Sequence, residues 1–594
     1  TDSDLLSHVS TRLPYTSSAH RAHGGTMFAR SGKWYFEVRT ARDTANAGYA
    51  IGVGLQDINN AIAYATGAHN YVFYSNNNNA RFTANTSTTT LSTDGTHAPD
   101  ADDIIQIAYD ADTGKIYAGV SNQFFAADGG VDGNPAAGTN ETATLSTSLD
   151  YVPFVGVYAN VAVANFGQDS TFAGNITSGS AQASDAKGNG DFYYTPPSGF
   201  LALCSANLPE PDIGPNSATQ SGQHHDTVIY AGNGGTKSVS GFGFQPDWLW
   251  IKIIDNEVGN HRLTDSTRGV SANVITNSSD AEKGDSDAED IDSFDSDGFT
   301  VTQATYNDFN SSGDTYVAWA WKANGGTTTS HSAGDNSATE ASVSQANTTS
   351  GFSIVTYTGD TSGHGSTYPS TFNHGLGKTP KMIWVKNRDS AYDWAVYHED
   401  MNTGSSYNHT IALNQAHARS TANNAYWGGN TMTLNNNLFS IGSDNTTGRN
   451  GDKYIAYLFA EVEGFSKIRK YTGNADNDGP FVYCGFRPAW VIIKNISQTL
   501  NWSLYDDTRF GVGSTNRPNP VISHLVASGN AKEFDSTSYP VLDLLSNGFK
   551  IRLGGTGSTL AQNVNRSASD TFIFMAFAHS PLKFANAFAT EVAP

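Results

Sequence analysis

The sequence predicts an all-β protein, and three features of its composition and patterning lead to this prediction. Apolar residues occur in short alternating runs that are rich in Val, Ile, Tyr and Phe and are bounded by Gly, Asn or Asp. The 59 glycines separate these runs, as turns do in β architectures. Only 15% of the residues are charged, whereas typical globular chains have about 25%, so the Lys and Glu that favour exposed helices are scarce.

Length, charge and cysteine usage restrict the class of protein further. A chain of 594 residues is too long for one hydrophobic core, which predicts several domains. Cys204 and Cys484 are too few and too distant to form a disulfide framework. The net charge of −22 argues against a nucleic-acid partner. We also expect no membrane insertion, because no apolar run reaches the length of a spanning helix, and no signal peptide is recognisable in residues 1–10.

Residues 31–204 contain the alternating runs in a regular order. Residues 110–114 (Asp-Ala-Asp-Thr-Gly) lie between two of these runs and predict a hairpin turn. No long window shows the 3.6-residue period of an amphipathic helix. This region is therefore predicted to be an antiparallel β-sandwich. Its predicted strands are 33–38, 49–55, 71–74, 103–110, 115–120 and 151–158.

Motifs in this region resemble SPRY domains, in the order that the family has them. They are an aromatic pair before Glu-Val in 32–38, an Ile-Gly-Val core in 49–54, a strand and Gly-Lys turn in 103–117, and Asn-Phe-Gly in 165–168. The resemblance covers about residues 30–170. It implies a concanavalin-like β-sandwich that binds through its loops and is not catalytic.

A second resemblance covers residues 192–211. This proline-containing segment is similar to one in marine bacteriophage structural proteins, where it follows a SPRY-like part and leads into a repeated β-domain. Its prolines stiffen the chain and remove backbone donors, as a semi-rigid connector requires. We place a linker at 205–225.

The remainder of the chain repeats itself three times, and the order and spacing of the motifs agree in all copies. Each copy opens on a Tyr-x-Gly motif, continues through a segment in which Pro precedes Lys by six residues, and closes on an aromatic strand. We therefore predict three similar β-sandwich units. The opening tyrosines are Tyr230, Tyr357 and Tyr471; the Pro-to-Lys segments are 246–252, 380–386 and 488–494; the second segments are 261–265, 394–398 and 502–506; the closing strands are 315–321, 453–459 and 571–577.

The Pro-to-Lys segments have apolar residues on both faces, which predicts a central buried strand with Lys at its exposed end. The closing strand is expected to pack against it. The repeated unit also resembles a domain that recurs in phage tail and fibre proteins, and this resemblance implies no catalytic residues. The predicted organisation is an N-terminal arm at 1–30, the SPRY-like sandwich at 31–204, a linker at 205–225, repeat 1 at 226–324, a Thr/Ser/Asn-rich linker at 325–350, repeat 2 at 351–466 and repeat 3 at 467–594.

Carboxylates are the first candidates for catalysis, because glycan cleavage requires two of them on either side of the scissile bond. Glu37, Glu461, Asp265 and Asp506 belong to no recognisable pair. Asp265 and Asp506 occupy equivalent repeat positions, each followed three residues later by Arg, which favours a structural ion pair. Motifs for nucleophilic, phosphate-binding or zinc chemistry are missing from the sequence. We therefore expect a protein that is not an enzyme and has no cofactor.

Residues 280–297 form an acidic run with many of the oxygen donors that calcium favours. The run lacks the spacing of an EF-hand loop, and a solvated acidic loop is the alternative interpretation. If a calcium ion binds there, Asp285, Asp287 and Asp290 are its candidate ligands.

Two loops have the composition of a sugar-binding site, in which aromatic rings cover apolar sugar faces and polar side chains bind hydroxyls. The alternative is that these aromatic residues pack in the core and the asparagines make turns. The candidate ligand-binding residues are Tyr74, Asn76 and Arg81 in the first loop and Tyr407, Asn423, Tyr426 and Trp427 in the second.

These features predict a phage virion appendage (a tail fibre, head fibre or decoration protein) that contributes to host-surface attachment by binding a glycan. We expect a location on the virion surface, and as partners a host cell-surface glycan or protein, other virion proteins and further copies of the chain in a homotrimer, since multivalency strengthens weak contacts. A bacterial extracellular adhesin or carbohydrate-binding protein is one alternative, and a tailspike depolymerase is another.

Overall fold

The predicted all-β fold is confirmed by the structure, a computed structural model in which the strands form antiparallel sheets. The chain divides into two compact units, Thr1–Pro209 and Glu210–Pro594, and this division lies within the predicted linker at 205–225. No helix among the described residues is long and apolar enough to cross a membrane. The structure describes residues 21–24, 31–41, 48–55, 71–76, 79–84, 87–92, 103–147, 151–158, 161–177, 183–208, 211–214, 218–256, 259–284, 290–302, 308–360, 369–402, 409–420, 425–509, 519–535 and 540–581.

The first unit is a sandwich of two sheets. One has the strand order β1-β11-β3-β4-β5-β6 and the other β10-β8-β7-β2-β12, where β9 adds to β8 and β13 pairs with β2 in parallel. The predicted hairpin turn at 110–114 is confirmed, because it joins β7 and β8. The strands are β1 Arg21–Gly24, β2 Lys33–Ala41, β3 Gly48–Leu55, β4 Tyr71–Asn76, β5 Asn79–Ala84, β6 Ser87–Ser92, β7 Ile104–Asp110, β8 Lys115–Val120, β9 Gln123–Phe124, β10 Ala143–Thr144, β11 Tyr151–Tyr158, β12 Val161–Asn165 and β13 Leu201–Ala202.

Strand β2 is buried on both faces, and the two faces meet different partners. Trp34, Phe36 and Val38 point into the core between the two sheets. Tyr35 points the other way, into a smaller cluster that includes Phe192 and residues of the segment 183–204. Because side chains alternate along a strand, Glu37 also lies on this outer face, beneath the segment that covers it.

The second unit contains the three repeats. Its described helix is α1 (Thr559–Asn565), and short 3-10 turns occur at Ser221–Gln223, Asp335–Ser337, Glu399–Met401 and Gly429–Thr431. The strands of repeat 1 are β14 His225–Ala231, β15 Thr236–Ser240, β16 Trp248–Ile253, β17 Arg262–Asp265, β18 Asn273–Ile275, β19 Asp290–Asp295, β20 Gly298–Thr302 and β21 Thr315–Trp321. Repeat 2 and the segment before it contain β22 Thr329–His331, β23 Ser342–Asn347, β24 Phe352–Thr358, β25 Ser370–Asn373, β26 Met382–Asn387, β27 Ala395–His398, β28 Leu438–Ile441 and β29 Lys453–Phe459. Those of repeat 3 are β30 Ser466–Thr472, β31 Phe481–Tyr483, β32 Phe486–Asn495, β33 Trp502–Asp506, β34 Ser523–Val526, β35 Phe534–Asp535, β36 Leu542–Leu545, β37 Gly548–Ile551 and β38 Thr571–Pro581.

All three repeats have the same strand topology. The opening strand pairs with the closing strand, the closing strand with the Pro-to-Lys strand, and that strand with the second segment: β14-β21-β16-β17, β24-β29-β26-β27 and β30-β38-β32-β33. The opening tyrosine has the same role in each copy. Tyr230, Tyr357 and Tyr471 stack on the closing strand at centroid distances of 5.1, 5.1 and 5.0 Å, and each donates its hydroxyl to a backbone carbonyl.

The repeats share one core, whereas the sequence suggested three separate units. Each main sheet turns one face toward a small sheet of its own repeat and the other toward the neighbouring repeats. Aromatic side chains of different repeats meet there edge to face: Trp321 and Trp490 lie 5.2 Å apart at 85°, and Phe459 lies 6.2 Å from Phe577. Each repeat therefore completes the burial of the others.

Equivalent side chains connect the repeats in a ring. In repeat 2, Trp394 Nε1 donates to the carbonyl of Ile275 in repeat 1 at 2.9 Å. In repeat 3, Trp502 Nε1 donates in the same way to Ala412 in repeat 2 at 2.8 Å. Repeat 1 has His261 at this position, and its buried imidazole lies near the backbone of Val526 in repeat 3. The three interfaces between neighbouring repeats, which we call seams, are thus related by an approximate threefold repetition within a single chain.

The lysines that end the Pro-to-Lys strands are buried, so the prediction of an exposed end was wrong. Lys252, Lys386 and Lys494 are each 0% exposed. For two of them the neighbouring repeat supplies an acceptor: Lys386 Nζ donates to Ser279 of repeat 1 at 3.1 Å, and Lys494 Nζ donates to Ala416 of repeat 2 at 3.1 Å. Burial lowers the pKa of Lys386 to about 8 and that of Lys494 to about 7. A single unit would have left these ammonium groups in solvent.

We expect Lys386→Met to lower the free energy of unfolding of the second unit by about 2–3 kcal/mol, because carbonyls of Ser279, Asn387 and Tyr392 lose their common donor. Urea unfolding of the full chain, followed by tryptophan fluorescence, measures this change. Lys470→Met is the control, since that side chain is 49% exposed and its loss should cost less than about 1 kcal/mol. Equal effects of the two substitutions would contradict a structural role for Lys386.

The segment 325–350, predicted to be a linker, forms part of the repeat 2 sheet. Strand β22 pairs with β23, and β23 pairs with the opening strand β24. Gln345 is 0% exposed, and its Nε2 donates to Ser266 and Thr267 of repeat 1. Hydroxyl and amide side chains can form such a strand because buried hydrogen bonds satisfy them. The composition that suggested a flexible connector therefore belongs to an edge extension that repeats 1 and 3 lack among their described strands.

Candidate functional site

The carboxylates Asp265 and Asp506 make the structural ion pairs that the sequence predicted. Arg268 Nε and Arg509 Nε each donate to the Asp Oδ2 three residues earlier at 2.6 Å, and all four side chains are almost completely buried. Each pair also receives a donor from the next repeat around the ring. Tyr457 Oη donates to Asp265 at 2.8 Å. These carboxylates hold the seams together.

The third seam has the same positions but different residues. Repeat 2 has His398 and Met401 where the other repeats have Asp and Arg, and Arg419 takes the place of a glutamate. The backbone geometry is retained, because Arg419 N donates to Ile496 O at 3.0 Å, just as Glu533 N donates to Ile254 O at 2.9 Å. Burial lowers the pKa of His398 to about 4, so this seam contains a neutral imidazole in place of an ion pair.

Glu37 is a completely buried carboxylate in the first unit. Tyr35 Oη and Tyr194 N donate to its Oε1 at 2.9 and 2.8 Å, and Tyr193 N and Asn165 Nδ2 donate to its Oε2 at 2.9 and 3.3 Å. Burial raises the pKa of Glu37 to about 7, while the four donors act in the opposite direction. The residue fastens the covering segment to strand β2.

Glu461, the remaining candidate carboxylate, lies in a largely buried ion network. Lys467 Nζ is 3.0 Å from its Oε1, and Arg469 Nη2 is 3.2 Å from its Oε2. Arg469 also reaches Glu399 of repeat 2 at 3.2 Å. The network therefore bridges segments on either side of the junction between repeats 2 and 3.

The candidate calcium ligands are only partly within the described residues. Asp285 and Asp287 lie outside them, and Asp290 begins strand β19 with a side chain that is not described. Among the residues that the structure describes, no group of three or more His, Cys, Asp or Glu side chains is arranged to hold a metal ion. The calcium hypothesis thus remains a prediction from sequence.

The first candidate sugar-binding loop lies on the hairpin β4–β5. Tyr74 pairs with Arg81 across the two strands, and Asn76 pairs with Asn79 at the tip. Arg81 is half-buried, whereas the side chains of Tyr74 and Asn76 lie outside the described residues. The backbone thus places the three candidates on adjacent strands of one hairpin.

The second candidate loop includes a residue whose assignment to a surface site was wrong. Trp427 is 0% exposed and packs at 5.8 Å from Tyr397 in the core of repeat 2. Tyr426 is half-buried against the same core. Tyr407 and Asn423 lie outside the described residues. The pattern of an aromatic residue followed by glycines occurs both in binding loops and in buried turns. Only the packing of the aromatic ring in the tertiary structure distinguishes the two.

A cleft of about 350 Å³ opens on the main sheet of repeat 2, and it is a candidate site among the described residues. We call it the repeat 2 cleft. Its lining residues come from all the strands of the sheet between β22 and β29, and from the end of β26. They are Ser330, His331, Ala341, Ser342, Val343, Thr356, Tyr357, Thr358, Arg388 and Lys453.

Strand register explains why these side chains meet. Lys453 pairs directly with Thr358, and Arg388 N donates to the carbonyl of Lys453 at 2.8 Å. Directly paired residues of neighbouring strands share a face of the sheet. Thr356 lies two residues from Thr358 and pairs with Val343, so it belongs to the same face. The inner part of this face enters the shared core, while its outer part forms the cleft.

Arg388 is held in a fixed orientation at the wall of the cleft. Its Nε and Nη2 both donate to Glu282 of repeat 1 at 2.7 Å, and Glu282 also receives a 2.7 Å bond from Arg268. Although burial acts to raise it, hydrogen bonds and charge from the two arginines hold the pKa of Glu282 below its ordinary value. Nη1 of Arg388 is not used in these bonds and remains available as a donor.

The cleft departs from the internal repeat in its residues. At the position of Arg388, repeats 1 and 3 have Ile254 and Ile496. Lys453 likewise corresponds to Thr315 and Thr571. The equivalence is structural, because Ile254 N donates to Thr315 O and Ile496 N to Thr571 O at 2.9 and 3.0 Å. Among the described parts of the three repeats, only repeat 2 combines two cationic residues with additional strands, β22 and β23, along this face. The same comparison of the three copies could have found Arg388 and Lys453 from sequence.

Chemically, the cleft offers cationic donors and hydroxyl groups. Thr358 and Ser330 are exposed, and Thr356 is half-buried. His331 shares a 2.8 Å hydrogen bond with Ser344, and burial lowers its pKa, which favours the neutral imidazole. Such a surface can bind a ligand rich in oxygen acceptors.

Comparisons with known proteins find one family model and two SPRY-type domains, and the description of the family names no activity. A family model described as "Domain of unknown function (DUF7483)" matches residues 220–581. The SPRY domain of human HERC1 is 15% identical with a TM-score of 0.19, covering 25% of this chain and 83% of that one. The PSpry domain of TRIM65 is 10% identical with a TM-score of 0.18, covering 25% and 72%. No curated protein matches the sequence.

Proposed function

The chain belongs to the DUF7483 family, whose function is not defined, and from its own residues we propose that it is a non-enzymatic appendage of a bacteriophage virion that contributes to host-surface attachment by binding a glycan. The repeat 2 cleft is the observation that supports binding. It combines exposed hydroxyls with Arg388 and Lys453 at positions where the other repeats have Ile and Thr. The architecture that the three repeats share does not require cationic residues at these two positions.

The virion part of the proposal rests on sequence resemblance. Residues 192–211 and the repeated unit resemble phage structural proteins, in which they follow a SPRY-like part. The proposed partners are a host cell-surface glycan or protein, other virion proteins and further copies of the chain. A homotrimer would make its contacts outside the shared core, since the three repeats of one chain already fill that core. The proposed location is the virion surface.

Immunogold electron microscopy with antibody against residues 351–594 tests the proposal. We expect label on phage tails or capsid vertices, and its position will separate a tail fibre from a head fibre. In parallel, the purified full chain should bind host cells without releasing oligosaccharides from their polysaccharide. Bare particles together with labelled cell surfaces would indicate the adhesin, and oligosaccharide release would indicate the depolymerase.

A further inference from the structure

The repeat 2 cleft contains one exposed cation with no neutralising partner in the described chain. The side chain of Lys453 is exposed, and no carboxylate among the described residues lies within ion-pair distance of its Nζ. Its backbone is fixed on both sides, by Thr358 through the strand pairing and by Asp389, whose Oδ2 accepts the amide N–H at 2.8 Å. An ammonium group is therefore presented from a rigid strand in a chain whose net charge is −22.

The neighbouring arginine adds directed donors. Two nitrogens of Arg388 donate hydrogen bonds to Glu282, and these bonds hold the guanidinium in one orientation. The Arg388 side chain is 19% exposed. A donor that is already ordered loses little conformational entropy when a ligand binds. Arg388 directly follows β26, and its N–H bonds to the carbonyl of Lys453 on β29 at 2.8 Å. Because the two residues are neighbours, both can reach one carboxylate or two oxygens of one sugar.

The hydroxyl groups on the rest of the face match the other parts of a sugar. Thr358, Thr356 and Ser330 can each donate to and accept from ring hydroxyls. The cleft volume of about 350 Å³ lies at the lower end of the range of small-ligand sites. Charge at one end and hydroxyls along the strands favour a saccharide unit that bears an acidic group.

We propose that the repeat 2 cleft binds an acidic saccharide, with its carboxylate at Lys453 and Arg388 and its hydroxyls at the threonine and serine side chains. This inference rests on the proposed function and names the class of glycan that it would recognise.

Calorimetric titration of the full chain with trimers of galacturonate, glucuronate and mannuronate tests the proposal, with neutral galactose trimer and inorganic sulfate as comparison ligands. At least one uronate trimer should bind about tenfold or more tightly than the neutral trimer, because a charge-assisted hydrogen bond replaces a neutral one. Added salt should weaken this binding. Sulfate alone should bind less tightly than the best uronate trimer, since it leaves the hydroxyls of the cleft unused.

Lys453→Thr is the decisive variant, because it installs the residue that repeats 1 and 3 already carry as Thr315 and Thr571. It should lower the affinity for the uronate trimer by about tenfold or more, while Lys470→Thr, which removes an exposed lysine elsewhere in the unit, should leave affinity unchanged. Unchanged thermal unfolding of Lys453→Thr would show that the fold is intact.

Four results would overturn the inference: no binding of any uronate trimer, equal affinity for neutral and acidic trimers, equal affinity for sulfate, or undiminished binding by Lys453→Thr. If one of these four results is found while the parent chain still attaches to host cells, the acidic-saccharide site fails and the proposed attachment function stands. If the parent chain itself does not attach to host cells, the proposed attachment function is contradicted instead.

Discussion

Arg509→Met is expected to lower the free energy of unfolding of the second unit by about 3–5 kcal/mol, since it leaves two carboxylates in the interior without their cation. Arg509 Nε donates to Asp506 at 2.6 Å and its Nη1 to Glu533 at 2.5 Å. Asp506 also accepts a 2.9 Å bond from Trp319 Nε1 of repeat 1, and the guanidinium lies 5.5 Å from that indole ring. The substitution thus acts on the seam that closes the ring.

Two further variants make the Arg509 prediction specific. Arg552→Met removes an arginine that is 49% exposed in a 3.4 Å surface pair, and we expect it to cost less than about 1 kcal/mol. The triple variant D506N/R509M/E533Q removes every charge of the network, so it should lose less stability than R509M alone. Urea unfolding of full chains measures all three. A cost for R509M no larger than that for R552M would contradict the assignment of this network to the seam.

Glu37→Leu is expected to release the segment 183–204 from the outer face of strand β2. The change leaves four donors, including the backbone N–H groups of Tyr193 and Tyr194, without an acceptor in a buried site. Each such group costs about 1–3 kcal/mol, so we expect a local destabilisation of about 3–5 kcal/mol. Hydrogen exchange of the full chain, read by mass spectrometry on peptides from 183–204, should then accelerate by ~100-fold or more.

The pH dependence of the same segment follows from the pKa of Glu37, which burial raises from 4.5 to about 7. Between these values the folded protein holds a proton that the unfolded chain has released. The free energy of opening therefore falls as pH rises from about 4.5 to 7 and then levels. Glu37→Leu should abolish this slope. Glu141→Leu, which removes a half-buried surface carboxylate paired with Lys115 at 3.2 Å, is the control. Unchanged protection of 183–204 in Glu37→Leu would contradict the fastening role.

Part of the candidate site was accessible from sequence, and part was not. The Asp-x-x-Arg spacing at 265–268 and 506–509 predicted structural ion pairs, because local spacing alone brings such side chains together. The prediction that Trp427 binds a sugar was wrong. Its neighbours in sequence have the composition of a sugar-binding loop, but its ring packs on Tyr397. Burial depends on residues distant in the chain, and no local pattern reports it.

The sequence by itself determined the β class, the hairpin at 110–114 and the threefold repetition, because alternation, turn residues and internal spacing are local properties. Only the tertiary structure decided that the repeats share one core, that Lys386 lies beneath repeat 1, and that Arg388 and Lys453 stand side by side at the repeat 2 cleft. The physical reason is the same in each case. A strand with two apolar faces must be packed against other residues on both faces. Its sequence does not show whether the residues on the second face come from its own repeat or from the next one.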